Sequence, residues 1–373
     1  MVTIYCVFNI TIYFEIIWEK IANCFTIYLI FVKINSYWRQ TVKIVIDAFG
    51  GDNAPVEIIE GALLALQKHK DLTIVLCGDE EKIKNVLNGR KERIEIVHAP
   101  DVISNDDVPT DAIRHKKESS LVKAFDVLKN EDDVIALISA GSTGAILAGG
   151  IFKVGRINGI LRPALAPILP TKADSDVIMV DSGANIDCKP ENLYQFGLMG
   201  SAYYSIVYNT EKPRVGLLNI GVEEHKGTEL VREAYTLLKD APINFIGNVE
   251  ARDYMSGKVD VMVAEGFSGN VLLKGSEGAV GAVLSVMKKS IKSHFLSKIG
   301  AIFMKRTFKD LKQRMDVLSK HGGSPLLGCK KIVMKNHGSS KRANICASVD
   351  EAILLHENKL IEKIEKSLGK KVE

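Results

Sequence analysis

Val42-Lys-Ile-Val-Ile-Asp47 runs directly into Ala-Phe-Gly50-Gly51-Asp52-Asn53-Ala-Pro55. A β-branched run of this kind is typical of a buried strand, and two adjacent glycines give the backbone the freedom that a tight turn needs. Proline is favoured in the first turn of a helix, so we expect a helix after Pro55. Together these features predict one strand–turn–helix unit of an α/β fold.

The same alternation continues to the end of the chain and predicts a mainly parallel sheet that is buried on both faces. No repeat of 20–50 residues and no Pro/Ser-rich linker interrupts it, so we expect two interwoven lobes. The predicted strands are Lys43–Asp47, Thr73–Cys77, Ile94–His98, Val134–Ser139, Val177–Asp181, Arg214–Asn219, Ile243–Ile246, Val259–Val263 and Lys331–Lys335.

Composition excludes several classes of protein. The 373 residues are 46% hydrophobic and 25% charged, which is typical of a globular chain. A net charge of +4 is too slight to indicate a nucleic-acid-binding protein. The cysteines show no C-x-x-C spacing, so we expect neither structural zinc nor disulfides, and a reducing cytoplasm. They are Cys6, Cys24, Cys77, Cys188, Cys329 and Cys346.

Residues 1–40 differ sharply from the rest, since they contain no glycine and no proline. They lack the early basic region and the cleavage site of a secretory signal, and Glu15, Glu19 and Lys20 interrupt any spanning helix. We interpret them as upstream sequence translated from a misplaced start, with the natural protein beginning near Val42. The alternative is an amphipathic anchor. The catalytic domain is then expected over 41–373.

Five glycine-rich turns follow predicted strands. Ligands of open α/β sheets bind beyond the carboxyl ends of the strands, where helix N-termini offer free N–H groups. Any one of these turns could be a tight connection alone, but the five together predict an anion-binding rim of an active site. The turns span Asp47–Pro55, Ser139–Ala145, Asp181–Asp187, Glu265–Asn270 and His337–Ser340.

Several standard chemistries lack their motifs. The sequence has no G-x-x-x-x-G-K-[ST], no G-x-G-x-x-G after the first strand and no H-E-x-x-H. Ala140-Gly-Ser142-Thr-Gly144 has the placement of a nucleophile elbow, so a serine hydrolase built on Ser142 stays open. We favour Ser142 as an N–H or hydroxyl donor at the start of a helix.

A basic amphipathic helix is expected from Ser293 to Arg314, and the basic segment as a whole over about 293–319. It either packs on the body with a solvated basic face or attaches reversibly to an anionic membrane. The second interpretation predicts membrane contact by Phe295, Ile299, Ile302, Phe303, Lys305 and Arg306.

These turns, in this order, resemble the bacterial phosphate acyltransferase family of phospholipid synthesis, over about Val42 to Ile364. The family makes acyl phosphate from acyl-acyl carrier protein and inorganic phosphate. The stretches that carry the resemblance are Ile46–Pro55, Ser139–Ala145, Gly155–Gly159 with Arg162–Leu165, Gly183–Glu191, Gly247–Asp253, Gly266–Asn270 and His337–Ser340.

The resemblance implies a two-lobed, parallel or mixed α/β sheet sandwich like that of phosphotransacetylase and of the isocitrate and isopropylmalate dehydrogenases. It also implies a homodimer that needs no metal and no organic cofactor. Members are cytoplasmic, associate peripherally with the inner face of the membrane and pass acyl phosphate to a membrane glycerol-3-phosphate acyltransferase. No nucleic-acid partner is expected.

The departures from the family pattern affect single side chains. Ser142 stands where the family typically has Asn, which argues against an essential nucleophile there. Glu265 and Ser268 replace a usual Asp and Thr, Asn53 replaces a usual His, and Lys341 stands where Asp is common. A role that rests on any of these four side chains alone is therefore weakened.

The reaction needs a site that gathers a phosphate dianion and stabilises a tetrahedral oxyanion. We expect phosphate binding by Arg252 and the Gly266–Asn270 turn, and oxyanion stabilisation by the Ser139–Gly144 turn or Asn270. Asp253 or His337 would orient or deprotonate phosphate, unless either is a structural ion pair or cap, and Lys189 would serve the leaving thiolate. The expected catalytic residues are thus Asp253, His337, Asn270 and Lys189. The expected binding residues are Arg252, Gly266, Ser268, Gly269, Gly50, Gly51, Asp52, Ser139, Gly141, Ser142, Thr143, Gly144 and Asn185.

Three rival functions remain at this point. A phosphotransacetylase would use short acyl-CoA in place of the carrier protein. A serine esterase would depend on Ser142. A membrane-surface scaffold for lipid-synthesis partners would have no turnover of its own.

Overall fold

The computed structural model describes residues 42–173, 175–315 and 321–369. The described residues from Lys43 onward form one compact unit. The interpretations of residues 1–40 and the last part of the basic segment, 316–319, lie outside the described residues.

The described residues form twelve strands and twelve α-helices, with a π-helical turn over Gly150–Val154 and a 3₁₀ helix over Ala251–Ser256. The strands are β1 (Val42–Asp47), β2 (Leu72–Gly78), β3 (Ile94–His98), β4 (Val134–Ser139), β5 (Ala164–Leu165), β6 (Ile168–Leu169), β7 (Val177–Val180), β8 (Arg214–Asn219), β9 (Asn244–Glu250), β10 (Val261–Val263), β11 (Ser324–Leu327) and β12 (Ile332–Lys335). The helices are α1 (Val56–Lys68), α2 (Glu80–Leu87), α3 (Pro109–His115), α4 (Ser120–Asn130), α5 (Thr143–Gly149), α6 (Pro190–Val207), α7 (Glu229–Lys239), α8 (Gly266–Ser293), α9 (Phe295–Phe303), α10 (Lys305–Met315), α11 (Arg342–Glu357) and α12 (Leu360–Ser367).

The first sheet has seven strands in the order β3-β2-β1-β4-β12-β11-β5. Strand β4 lies parallel to β1 on one side and to β12 on the other, and Lys335 at the end of β12 pairs with Ser139 at the end of β4. The strand order reverses between β1 and β4, which is the point where open α/β sheets bind ligands. The chain leaves this sheet after β5 and returns to it at β11.

The second sheet has five strands in the order β6-β7-β10-β8-β9. Strand β10 runs parallel to β7 and β8, β9 runs parallel to β8, and β6 pairs antiparallel with β7. The predicted α/β class with mostly parallel sheets is therefore confirmed.

The core of the first sheet has apolar residues on both faces of its strands. In β1, Ile44, Val45 and Ile46 are fully buried, and alternate residues of a strand point to opposite faces. Val45 packs in one cluster with residues of α4, such as Phe125. Helices must therefore cover both faces, as the continuous apolar runs predicted.

All nine predicted strands are present, and β3, β4 and β8 have their predicted bounds, but β5, β6 and β11 were missed. Two of these strands have only two residues each, and β11 contains Pro325. Short, proline-containing segments lack the periodic signal that identifies a strand.

The predicted single amphipathic helix is divided. Ser293 is the last residue of the 28-residue helix α8, His294 is extended, and Met304 separates α9 from α10. The basic residues Lys305 and Arg306 begin α10, whereas α9 carries the exposed apolar ones. Apolar spacing near 3.6 continues across one non-helical residue, so the sequence pattern could not reveal these breaks. None of the helices among the described residues is both long enough and apolar enough to traverse a bilayer.

Candidate active site

The first part of the site joins the ends of β1 and β4. Ser139 Oγ donates to Asp47 Oδ2 at 2.7 Å and accepts from the Gly141 N–H at 3.0 Å. Burial raises the pKa of the Asp47 carboxyl. A Cβ at Gly50 would lie 2.6 Å from Asp47 Oδ2 and 2.7 Å from the Gly141 nitrogen. Only glycine at position 50 lets the first turn approach the second this closely.

The turn after β12 packs against the turn after β1. The Asp52 N–H donates to the Gly338 carbonyl at 2.8 Å, and Asn53 Nδ2 donates to the carbonyls of Ser339 and Ser340 at 3.0 and 3.1 Å. At Gly51, φ is +95°, and a Cβ there would lie 2.9 Å from the Gly338 oxygen. Three of the five predicted turns therefore meet at the carboxyl edge of the first sheet.

The other two turns meet at the second sheet. The fully buried carboxylate of Asp181 accepts from the N–H groups of Leu165 and Asn185 at 2.9 and 2.7 Å, and burial raises its pKa. The Asn185 carbonyl accepts from the Gly266 N–H at 2.7 Å. A Cβ at Gly269 would lie 1.9 Å from the backbone carbonyl oxygen of Asp181. The turn after β7 therefore fixes the start of α8.

The N–H groups at the start of α8 are already bonded within the protein. The Glu265 carboxylate accepts from Phe267 N at 2.6 Å and from Ser268 N at 2.9 Å, and the Glu265 carbonyl accepts from Gly269 N. The Gly266 N–H bonds to Asn185, as described above. Free backbone donors were the basis for expecting phosphate at Gly266, Ser268 and Gly269. The binding roles of Gly266, Ser268 and Gly269 stay predictions.

A cavity of about 640 Å³ is lined by residues from four of the five turns, namely Thr143 and Gly144, Ser182 and Gly183, Asn270, and His337. Its walls come from α5, the β5–β6 segment and α8, and most of them are apolar. The polar lining residues are Thr143, Ser182, Tyr254, Asn270, Lys274, Ser276, Glu277, Ser324, Lys335, Asn336 and His337. Its apolar lining includes Leu147, Leu165, Ile168, Leu169, Leu273, Val280 and Leu284. An apolar cavity with a few polar groups is the usual form of a site that holds an organic ligand.

Lys335, like Lys274, is a cavity residue that the sequence analysis missed. It is the last residue of β12, lines the cavity, and donates from Nζ to the neighbouring Asn336 carbonyl. Burial, together with repulsion from Lys274 and partly offset by Asp52, lowers the pKa of Lys335 to about 8. The available signal was a lysine at the end of an otherwise apolar strand, two positions before His337.

The tautomer of neutral His337 follows from its contacts. The Ser339 N–H donates to His337 Nδ1 at 3.2 Å, and the Ser339 hydroxyl lies 2.8 Å from the same nitrogen. Nδ1 is therefore an acceptor, and the neutral ring carries its proton on Nε2. In this tautomer Nε2 can donate a hydrogen bond, and the role of His337 in orienting or deprotonating phosphate stays a prediction.

The predicted residues fall into three groups. Thr143, Gly144, Asn270 and His337 line the cavity. The second group lies in the turns that adjoin the cavity and comprises Gly50, Gly51, Ser139, Gly141, Asn185, Gly266 and Gly269. The third group does not line the cavity and comprises Asp52, Ser142, Ser268, Lys189, Arg252 and Asp253.

Arg252 lies on the 3₁₀ helix with its side chain 78% exposed, and it pairs with Glu250 at 2.7 Å. Asp253 is on the same helix, where Tyr254 is the residue that lines the cavity. Lys189 is exposed before α6, and its N–H donates to Asn192 Oδ1 at 2.8 Å. The catalytic roles of Arg252, Asp253 and Lys189 stay predictions.

Comparison with known proteins gives three findings. The model of the family described as "Fatty acid synthesis protein" matches residues 42–363. A protein of Clostridium tetani named phosphate acyltransferase is 46% identical over 330 residues, which are 88% of this chain and 98% of the relative. One of Alkaliphilus oremlandii with the same name is 47% identical over 331 residues, with the same coverage of both chains.

Solved structures share the fold. A phosphotransacetylase from Streptococcus pyogenes matches with a TM-score of 0.53 at 14% identity, covering 89% of this chain and 95% of its own. A branched-chain phosphotransacylase from Enterococcus faecalis matches with a TM-score of 0.52 at 13% identity, covering 84% and 98%. The expected phosphotransacetylase-like architecture is confirmed.

Proposed function

We propose, because this chain belongs to the fatty acid synthesis protein family, that it transfers a fatty acyl group from acyl-acyl carrier protein to inorganic phosphate. The chain is an acyltransferase of that family, and acyl transfer to phosphate agrees with the name of its relatives. The product, acyl phosphate, would serve phosphatidic acid and phospholipid synthesis.

The observation that carries this proposal is a mostly apolar cavity whose lining also includes a few polar side chains. A fatty acyl thioester has a reactive carbonyl at one end and a hydrocarbon chain beyond it. Asn270, Lys335 and His337 would surround the carbonyl, while Leu273, Val280 and Leu284 would contact the chain. Burying each methylene of such a chain contributes about 0.8 kcal/mol, which favours long acyl groups over acetyl.

The proposed reaction needs no covalent enzyme intermediate. A phosphate oxygen bonds to the thioester carbon, the C–S bond breaks, and the departing thiolate takes up the proton that hydrogen phosphate gives up. The Asn270 amide and His337 Nε2–H are suited to stabilise the tetrahedral oxyanion, since both are neutral donors at the cavity. A well-placed donor of this kind typically lowers the barrier by about 3–4 kcal/mol.

The partners belong to the proposal as well. Acyl carrier protein would supply the acyl group, and a membrane glycerol-3-phosphate acyltransferase would receive the product. We propose a cytoplasmic homodimer that associates peripherally with the inner face of the membrane. The exposed apolar residues Phe295, Leu296, Ile302 and Phe303 of α9, followed by the basic start of α10, support the membrane contact.

The decisive experiment supplies the full chain with long-chain acyl-acyl carrier protein, with and without inorganic phosphate. Acyl phosphate is trapped as the hydroxamate, and the free carrier thiol is measured in the same samples. We expect equal amounts of both, strictly dependent on phosphate. Thiol release without a phosphate requirement would instead indicate hydrolysis at Ser142, and release only from short acyl-CoA would indicate a phosphotransacetylase. No release from either donor would contradict enzymatic acyl transfer.

A further inference from the structure

We propose that Lys335 and Lys274 form the binding site for the attacking phosphate. This inference rests on the proposed function and deepens it, because it assigns the anion to the cavity and not to Arg252 on the exposed 3₁₀ helix.

The two lysines reach the cavity from different parts of the fold. Lys335 ends β12 in the first sheet, and Lys274 lies on α8, one turn after Asn270. Residues four apart on a helix share a face, so Asn270 and Lys274 present their side chains side by side. His337 follows Lys335 by two residues and also lines the cavity. Donors from both halves of the fold thus surround one polar region.

The charges in this region are poorly balanced without a ligand. Lys274 pairs with Glu277 at 3.3 Å, and its side chain is otherwise well exposed. Over the described ranges 42–173, 175–315 and 321–369, no carboxylate forms an ion pair with Lys335, whose Nζ bonds to a backbone carbonyl. Glu277 is the one acidic residue among the described residues that line the cavity. A dianion between the two ammonium groups would remove the repulsion between them.

The ionisation of Lys335 supports the same assignment. Besides burial, the charges that act on this amine are Lys274 on α8, which lowers its pKa, and Asp52 in the turn after β1, which raises it. Glu277 faces Lys274, and His337 is the other titratable group beside it. A pKa of about 8 leaves Lys335 mostly charged at pH 7, ready to bind an anion. Phosphate affinity should therefore fall as the pH rises above 8.

The first test measures binding of inorganic phosphate alone to the full chain by calorimetry, with no acyl donor present. We expect Lys335→Gln to weaken phosphate binding by about 10–100-fold, as for the loss of a hydrogen bond to a charged group. Lys335→Arg should restore most of it. Lys330→Gln is the matched control, because Lys330 is exposed just before β12 and does not line the cavity. Circular dichroism on each variant verifies folding.

A second probe separates two sources of the same anion. 4′-Phosphopantetheine, the phosphate monoester of the arm that a carrier protein holds as a phosphodiester, is titrated into the same variants. If the Lys335→Gln protein binds 4′-phosphopantetheine more weakly but binds inorganic phosphate normally, the assignment is overturned. It is also overturned if Arg252→Gln abolishes phosphate binding while Lys335→Gln does not. Because these measurements need no turnover, they stand apart from the outcome of the acyl-transfer assay.

The third test uses the pH dependence. Removing the like charge with Lys274→Gln should move the alkaline loss of phosphate binding to higher pH, and Asp52→Asn should move it to lower pH. A structural role for Lys335 would not produce opposite shifts in these two variants. Unchanged pH profiles in both would contradict the proposed pair.

Discussion

Glu351 keeps a proton at a pH where an exposed glutamate has lost it. It lies in α11, is nearly fully buried, and accepts a hydrogen bond from the Tyr203 hydroxyl on α6. Its other carboxyl oxygen, Oε2, is buried and has no hydrogen-bond partner among the described residues. Burial raises the pKa of Glu351 to about 8. Ionising this group inside the protein is therefore costly.

This predicts a specific pH dependence of stability. A carboxyl with a raised pKa in the folded state binds more protons there than in the unfolded chain, so the free energy of unfolding falls as pH rises from about 4.5 to about 8. Glu351→Gln mimics the protonated side chain and should flatten this decline. The measurement is urea unfolding at pH 5.5, 7 and 8.5, read as the difference between variant and parent.

Glu362→Gln is the matched control for this prediction, because Glu362 is exposed on α12. It should leave the pH dependence of the parent protein unchanged. An equal slope in the Glu351→Gln protein and the parent would contradict a buried, protonated Glu351.

At the scale of residues, the sequence identified the turns better than the roles of their side chains. Gly50 could be predicted, since the close approach of the Gly141 nitrogen requires glycine at that position. The sequence could not predict that the Glu265 carboxylate would accept hydrogen bonds from N–H groups at the start of α8. It could not identify Lys335 either, because its lowered pKa arises from burial and from repulsion by Lys274 on α8.

Helix α8 has a tightly packed start and an exposed body. Substitution of one glycine in each part tests this difference. Gly269→Ala should reduce the free energy of unfolding by at least about 1–3 kcal/mol, since the new Cβ would lie 1.9 Å from the backbone carbonyl oxygen of Asp181. Gly278→Ala, with nothing within 4 Å, should raise it by up to about 1 kcal/mol through helix propensity. Denaturant midpoints of both variants test this. Loss of stability in Gly278→Ala would mean that another chain covers this face.

At the scale of elements, the sequence predicts long, uniform segments and misses short or interrupted ones. Strand β4 was predicted with its observed bounds because six consecutive buried residues give a clear apolar run. Strands β5 and β6 are defined by pairing with β11 and β7, which lie elsewhere in the chain. The break at Met304 likewise leaves the apolar spacing of α9 and α10 intact.

For the molecule as a whole, the exposed apolar side chains of α9 predict how it meets a membrane. Phe303 is 85% exposed and Ile302 is 71% exposed. Ile302→Glu combined with Phe303→Glu should weaken binding to anionic vesicles by at least about 10-fold, because burying each side chain contributes about 1.5–3 kcal/mol. Cosedimentation with vesicles measures this, and acyl transfer in solution should persist.

Ile220→Glu is the control for the vesicle experiment. Ile220 is 79% exposed but follows β8, away from α9 in the chain. The Ile220→Glu protein should bind vesicles as strongly as the parent protein does. Equal losses in both variants would indicate a general effect of added negative charge and contradict a membrane-facing α9.

The return of the chain to its first sheet determines when during synthesis the site can exist. Asn53 bonds to the carbonyls of Ser339 and Ser340, 286 and 287 positions later. At about 5–20 residues per second, a ribosome needs roughly 15–60 s to bridge that interval. During most of that time neither β11 nor β12 has been synthesised, so β4 lacks its neighbour β12. A chain released early therefore lacks Lys335 and His337, so incomplete translation products cannot assemble the cavity's polar end.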